Sequence, residues 1–230
     1  MTGAAGVMES TVQFHRAGSG SNPRAALHSL RVTPVPQRVA RELIVRHHYL
    51  HSYPGGTKLS FGVFAGSSLS GALTFGAGPA QVHRLVEGCD LRDCLTLTRF
   101  WLDDALPRNS ESRVLGVIVR YLRRCTGVRF IVAYADPARG HTGAIYRAAG
   151  WTYTGLSNAV PLYKVAGRRY HSRTFAFNFG TRSVQHFREH GVDVETVPQS
   201  RKHRYVKLLD PTASELMTAP ALPYPQGVRP

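Results

Sequence analysis

Apolar residues recur along the chain with two different periods, and the switches between them outline a fold. From Pro36 to Tyr49 the residues Val39, Leu43, Ile44 and His47 share one helical face, and Ser52-Tyr53-Pro54-Gly55-Gly56 breaks that helix. Residues 59–65 and 69–75 are rich in strand formers and flank Gly66-Ser67-Ser68, which predicts a β-hairpin. Another strand is expected over 94–102, followed by a loop over 103–111 that offers helix caps. Val114, Val117, Ile118, Tyr121, Leu122 and Cys125 then fall at helical spacing, so a helix is predicted from about Ser110 to Arg124, with Arg113, Gly116, Arg120 and Arg123 on its other face. The run 130–135 is apolar throughout, as a strand buried on both faces requires, and Asp136-Pro137 ends it. A short helix over 140–149, closed by Gly150, leads into a strand from Trp151. Strand, helix, buried strand, helix, strand is an α/β arrangement. Nearer the C-terminus, 162–165, 174–178 and 203–209 are expected as strands and 183–190 as a helix.

The ends of the chain have a different composition. Residues 1–32 are rich in Gly, Ser and Ala and are expected as a flexible N-terminal arm, while 211–230 carry five prolines and are expected as a disordered tail. A single folded domain over 33–210 remains. No apolar run approaches the roughly 20 residues needed to span a bilayer, and the first residues lack the pattern of a secretory signal. Cys89, Cys94 and Cys125 form neither an even framework nor a C-x-x-C pair, which fits a reducing cytoplasm.

Charge narrows the functional classes. There are 29 Lys and Arg against 14 Asp and Glu, a formal net charge of +15, and only Lys58, Lys164, Lys202 and Lys207 are lysines. Arginine grips phosphate with two parallel hydrogen bonds, so the excess points to nucleic acid; genomic base composition is the competing source of the Arg bias, but it does not account for the scarcity of acids. Residues 160–210 concentrate the charge, with ten Lys or Arg against Glu189, Asp193, Glu195 and Asp210. Arg168, Arg169, Arg173, Arg182, Arg201, Lys202 and Arg204 are the candidate phosphate contacts.

Strand carboxyl ends and helix N-termini share one edge of an α/β unit, and ligands gather there. Arg99, the segment Asn109-Ser110-Glu111-Ser112-Arg113 and Asp136 all map to that edge. Ser112, Arg113 and Gly116 at a helix start would make a phosphate cradle; alternatively, Ser110 is an ordinary cap and Arg113 a solvated residue. Asp136 is either a turn former or a hydrogen-bond acceptor and base in the cleft. Tyr134, Trp101 and Trp151 read as core.

The pattern Arg113-x-x-Gly116, followed by Ala144-Ile145-Tyr146-Arg147-Ala148-Ala149-Gly150-Trp151, resembles the coenzyme A loop and the following helix of the GCN5-related N-acetyltransferase (GNAT) superfamily. Ile118 departs from the small residue usual in that loop. A more specific resemblance covers residues 45 to 208. His47-His48-Tyr49, Leu97-Thr98-Arg99-Phe100-Trp101, Asn109 to Gly116, the segment Tyr134-Ala135-Asp136-Pro137-Ala138-Arg139-Gly140-His141-Thr142-Gly143-Ala144-Ile145-Tyr146 and Arg201-Lys202-His203-Arg204-Tyr205-Val206 are similar to the Mom family of bacteriophage DNA-modification proteins.

That resemblance implies a mixed α/β (α+β) GNAT-like fold with a partly splayed central sheet and a basic C-terminal extension. It implies conversion of adenine in DNA to N6-carbamoylmethyladenine with acetyl-CoA as donor, shielding phage DNA from restriction in the cytoplasm of the bacterial host. Arg99, Ser112, Asp136 and Tyr146 become the active-site set, and Ser112, Arg113, Gly116 and Tyr146 the coenzyme site. Iron is a further implied cofactor, for which His48 and His51 are the candidate ligands; contact with DNA phosphate or a plain surface location are the alternatives. Reaching adenine in double-stranded DNA requires its extrusion. An ordinary N-acetyltransferase of a protein, small-molecule or RNA amine, and a basic DNA-binding protein without catalysis, are the competing readings. A homodimer is compatible with each.

Overall fold

The computed structural model describes residues 30–226. Most of the expected arm therefore lies outside the described residues, but its last part does not: β1 (Leu30–Pro34) pairs antiparallel with β2 (Thr57–Ala65), and the folded body starts at least at Leu30. Leu30 is buried because the alternation Leu30, Val32 gives the strand an apolar face, a signal too short to stand out beside the Gly/Ser-rich stretch.

A seven-stranded sheet organises the body in the order β1-β2-β3-β4-β5-β10-β6. The hairpin of β2 and β3 (Ser68–Gly76) forms as expected and joins β4 (Cys94–Leu102). Helix α1 (Gln37–His47) lays Ala40, Leu43 and Ile44 against Leu69 and Ala72 of β3. Helix α2 (Ser110–Cys125) carries the chain from β4 to β5 (Phe130–Ala135), and these two strands are parallel. The buried stripe of α2 is Val114, Leu115, Ile118, Val119 and Leu122, rotated by about one position from the expected one: Val117 and Tyr121 are half-buried and Cys125 is exposed. Spacing alone does not choose between two overlapping apolar stripes; the contacts with Leu95, Leu97 and Ile131 do. After β5 come α3 (Ala144–Ala148), shorter than expected, and β6 (Thr152–Leu156).

The β4–β5 pair is the feature that positions the site. The strands pair only from Cys94↔Phe130 to Leu97↔Ala133. Beyond that point β4 stays with β3, as far as Leu102 opposite Gly71, and β5 stays with β10 (His203–Leu208), as far as Ala135 opposite His203. The sheet opens into a V at its centre.

Between β6 and β10 the chain builds a second, three-stranded sheet, β8-β7-β9, from β7 (Leu162–Val165), β8 (Arg168–His171) and β9 (Val194–Val197), with α4 (Ser172–Phe179) and α5 (Val184–Glu189). Residues 174–178, expected as a strand, lie in α4. The alternating Phe175, Phe177 and Phe179 imitate a strand; in the helix Phe175 and Phe179 face the sheet and Phe177 points away.

The Pro-rich segment expected to be disordered is, up to residue 226, docked on the body. Ala213 is buried, Met217 bridges Val86, the Leu222 amide donates to the Tyr153 carbonyl at 2.9 Å, and the Tyr224 hydroxyl donates to the Trp151 carbonyl at 2.8 Å. Proline removes a donor, but the residues between the prolines supply amides and side chains enough to bind the sheet.

Candidate active site

The V between β4 and β5 holds a cleft of about 550 Å³, lined by Leu97 to Leu102, by Tyr134 and Ala135, by the loop from Gly140 to Tyr146, by Glu111 at the start of α2 and by His47, His48 and Tyr49 at the end of α1. That volume falls in the range of small-molecule sites, roughly 300–1,000 Å³. Segments far apart in sequence thus converge because two parallel strands part company.

Arg99 sits in this cleft, with its guanidinium anchored: Nε and Nη2 donate to the Ser52 carbonyl and hydroxyl at 3.1 and 3.2 Å, and Nη1 donates to the Thr98 carbonyl at 2.7 Å. Tyr146 is a buried lining residue of the same cleft, its ring 5.3 Å from Trp151 and 5.1 Å from Tyr205. Burial first, and then Tyr49 and Tyr205, push the Tyr146 phenol well above its ordinary range, so it keeps its proton at every ordinary pH. The loop that presents Tyr146 is held from behind. Tyr205 donates to the Thr142 carbonyl, and Gly143, at φ +81°, lies so close to the Tyr205 ring that no side chain fits there.

Trp101, expected in the core, is half-exposed in the cleft and stacks on His47 at 4.4 Å with 14° between the rings. Trp151 is core as expected. Tyr49 leans on His48 at 4.3 Å, meets His141 edge-on at 5.4 Å and lies under Arg139. Tyr134 is half-buried on the wall.

His48 and His51 do not form the expected metal pair. Helix α1 ends at His47, so their spacing does not put them on one helical face, and His51 is turned to φ +44°. His48 Nδ1 accepts the Leu50 amide at 3.2 Å, which in the neutral ring leaves the proton on Nε2 and no lone pair there for a metal. Burial, followed by the charges of Arg99, His141 and His51, lowers its pKa to about 4, so neutral is its form at neutral pH. Among the described residues no three His, Cys, Asp or Glu side chains converge. Iron therefore finds no fitting donor set here.

Of the coenzyme candidates, Tyr146 lines the cleft, whereas Ser112, Arg113 and Gly116 follow the lining residue Glu111 and are not part of the lining. Ser112 Oγ donates to the Asn109 carbonyl at 3.0 Å, and Ser110 Oγ donates to the Pro107 carbonyl rather than capping the helix. Asn109, left-handed at φ 70°, turns the chain into α2. Arg113 has a buried Nε with no hydrogen-bond partner, and a Cβ on Gly116 would meet only the Arg120 guanidinium, at 3.7 Å. An orphaned donor, an open strip of backbone and a helix N-terminus suit a diphosphate.

Asp136 lies at the rim and is not among the lining residues. Its carboxylate accepts from Ser200 Oγ at 2.7 Å, Lys202 Nζ at 3.1 Å and the Ala138 amide at 3.1 Å. Burial raises its pKa, but the hydrogen bonds from Ser200 and Lys202 and the Lys202 charge outweigh that, and the net shift is downward. The basic residues divide accordingly. Lys202 is tied to Asp136, and Arg204 donates through Nε and Nη2 to the Thr154 hydroxyl and carbonyl at 2.8 and 3.1 Å. Arg168, Arg169, Arg182 and Arg201 are exposed, the last two each with Nε on a backbone carbonyl; the Arg173 side chain lies outside the described residues.

A mixed sheet whose central parallel pair splays beside a helix N-terminus, with a protonated tyrosine on the next helix, defines a GNAT-like fold, as the motifs implied. Solved structures similar to it include the ribosomal L7/L12 alpha-N-protein acetyltransferase RimL in its apo form (13% identity, TM-score 0.46, 79% of this chain and 94% of that one). Another is the spermidine N-acetyltransferase from Vibrio cholerae in complex with CoA and spermine (8% identity, TM-score 0.44, 79% and 96%). The chain belongs to the Mom protein family, whose model matches residues 29–226. It is 29% identical over 204 residues to the methylcarbamoylase Mom of Escherichia phage Mu, covering 86% of this chain and 84% of that one.

Proposed function

We propose that the protein is a phage DNA-modifying transferase. It adds a carbamoylmethyl group to the exocyclic N6 of adenine in DNA, with acetyl-CoA as the source of the two carbons, an ammonia-level amine displacing CoA as the free thiol and a two-electron oxidant removing the hydrogens that the new N6–carbon bond replaces, and so protects phage DNA from restriction in the cytoplasm of its bacterial host. The observation that carries this reading is the cleft in the splayed sheet, which combines flat aromatic walls at Trp101 and Tyr49 with a fixed cation at Arg99. A purine extruded from a duplex needs flat surfaces to stack on and a water-poor pocket that reads its edge. Family membership and the name of the phage Mu relative support the same choice of substrate and group.

Acetyl-CoA, when bound, supplies the two-carbon unit as a thioester. Ser112, Arg113 and Gly116 would hold its diphosphate, with the unpaired Arg113 Nε as a donor. Tyr146 holds a proton on Oη in a dry environment and is the acid of the site. Arg99, immobilised by Ser52 and Thr98, places positive charge where negative charge builds up, without having to reorganise. The neutral His48 offers an Nε2–H at the same wall. Asp136 acts at the rim, where it joins the cleft to the basic C-terminal part.

Mass spectrometry of nucleosides from DNA of cells expressing the protein tests the reading. A deoxyadenosine adduct heavier by a carbamoylmethyl group is expected from the native chain and is absent with Tyr146→Phe. An acetylated product on a protein or amine, with unmodified DNA, overturns it.

A further inference from the structure

Phe177 stands apart from every other large apolar side chain among the described residues. It is 88% exposed, whereas the next most exposed, Leu91 and Leu222, reach 43%. It occupies the outer face of α4, half a turn from the buried Phe175, so it contributes nothing to the small core of Tyr163, Phe175, Phe187 and Val194. Single apolar residues on a surface are ordinary, so what makes this ring a candidate contact is the charge beside it in the chain.

Its surroundings say what kind. Residues 160–200 carry six Lys or Arg against three acids. Arg168 and Arg169, on the strand that runs directly into α4, have exposed side chains that make no hydrogen bond or ion pair among the described residues, and Arg182 places its Nε on the Ser172 carbonyl that starts the helix. Exposed guanidinium groups on the strand that enters α4 and just beyond the helix end, with a protruding ring on α4 between them in the chain, match a nucleic-acid backbone with a base step between its phosphates. The second sheet is also tethered to the cleft. Ser157 and Lys202 bind each other across its two connecting strands, the Ser157 amide reaching the Lys202 carbonyl at 2.8 Å and the Lys202 amide reaching Ser157 Oγ at 3.0 Å. Ser200 and Lys202 are then fastened to Asp136, next to the cleft-lining Ala135.

Building on the DNA-modification reading above, we propose that Phe177 is the wedge that unstacks duplex DNA for the cleft: its ring enters a base step while Arg168, Arg169 and Arg182 hold the flanking phosphates. An inserted side chain of this kind lowers the cost of extruding a neighbouring base, and it acts on a duplex but has no work to do on a single strand.

Permanganate oxidation, which reports unstacked thymines, tests this on a long mixed-sequence duplex bound by the full-length protein. The native chain is expected to produce hyper-reactive thymines and Phe177→Ala to abolish them, with Phe177→Trp restoring the signal. Phe177→Ala should also lose about tenfold in adenine modification of duplex relative to single-stranded DNA, in line with the worth of one base–aromatic stack. Thymine reactivity equal in the native chain and in Phe177→Ala overturns the wedge. So does a uniform loss on both substrates, or a shift of Phe177→Ala from dimer to monomer, which would make the ring a contact with a second copy. Because the permanganate signal needs no turnover, a native chain that opens DNA but leaves adenine unmodified refutes the proposed reaction and not the wedge.

Discussion

The seven-stranded body and the three-stranded sheet use the same aromatic residues to different ends. The body buries Phe61, Phe75 and Trp151 in one large cluster and Phe130 in a second, all to 1% exposure or less. The small sheet gathers only Tyr163, Phe175, Phe187 and Val194, surrounds them with arginines and leaves Phe177 in water. A body with that much buried surface can tolerate an open V through its centre, whereas a four-residue core is stable only while it is fastened to something larger. The contrast is between a large scaffold that holds the cleft and a small attached part for which contact with DNA is proposed, and each expected outcome below either breaks or sharpens it.

The largest effects come from opposite cores. Trp151→Ala should cost about 3–5 kcal/mol, the usual range for removing a buried aromatic, and lower the melting temperature of the whole protein in calorimetry. Phe175→Ala removes a ring stacked on Tyr163 at 4.2 Å and 11° and is equally severe locally. It should leave the main calorimetric transition in place while hydrogen exchange accelerates across 160–200, DNA binding collapses and acetyl-CoA binding persists. A main transition that falls equally in both variants would show that the two sheets unfold as one unit.

Next is the acid limb of stability, which belongs to the body. His48 titrates near 4 in the fold against 6.5 in the open chain. Between those pH values the unfolded chain binds the extra proton, so His48 supports the fold fully above pH 6.5 and progressively less as the pH falls to 4. Below that the loss levels off, and by the usual conversion it totals on the order of 3 kcal/mol. His48→Gln, which still accepts from the Leu50 amide, should flatten that part of the denaturation profile. An unchanged slope would mean that the acid sensitivity lies elsewhere.

A smaller effect separates the arginines. Replacing Arg168 and Arg169 with Ala should weaken DNA binding by roughly tenfold at moderate salt and reduce the salt slope by about 2, one unit per lost phosphate contact. Acetyl-CoA affinity should not change. Arg204→Ala, by contrast, strips two hydrogen bonds from Thr154 and should lower stability while leaving the slope alone. Matching slopes in the two variants would put Arg204 on the DNA.

These distinctions show where sequence reasoning reached and where it stopped. The hairpin, β4, α2 and β5 were legible because each has one dominant period, and the cleft position of Arg99 and Tyr146, as distinct from any role in the reaction, was legible because one lies late in β4 and the other follows the end of β5. Phe175 to Phe179 misled because alternate phenylalanines satisfy a strand and only tertiary contact reveals the helix. The cleft-facing position of Trp101 was hidden for another reason: strand alternation assigns it a face, but the splay of the neighbouring strand decides whether that face is covered. Asp136 looked like a cleft residue until the partners that claim its carboxylate, 64 and 66 positions further along, were in view.

Asp136 also supplies the smallest and most discriminating test, because it is the link between the two regions. Its folded pKa lies below the ordinary 3.8, so the tie it makes is complete above that value and is lost only as the pH falls through the lower, folded one. At neutral pH Asp136→Asn keeps an acceptor for Ser200 but removes the charge that Lys202 faces. Since Lys202 is about one-third exposed, the loss should be modest, about 1 kcal/mol. It should appear as faster proteolysis or exchange over 198–202 and a partial fall in duplex modification, with single-stranded DNA modified at close to the native rate. Were Asp136 the base of the reaction instead, the same variant would abolish modification of both substrates and leave protection at 198–202 unchanged. The two outcomes differ in kind, so a single substitution decides whether this carboxylate belongs to the chemistry of the cleft or to the joint that brings DNA to it.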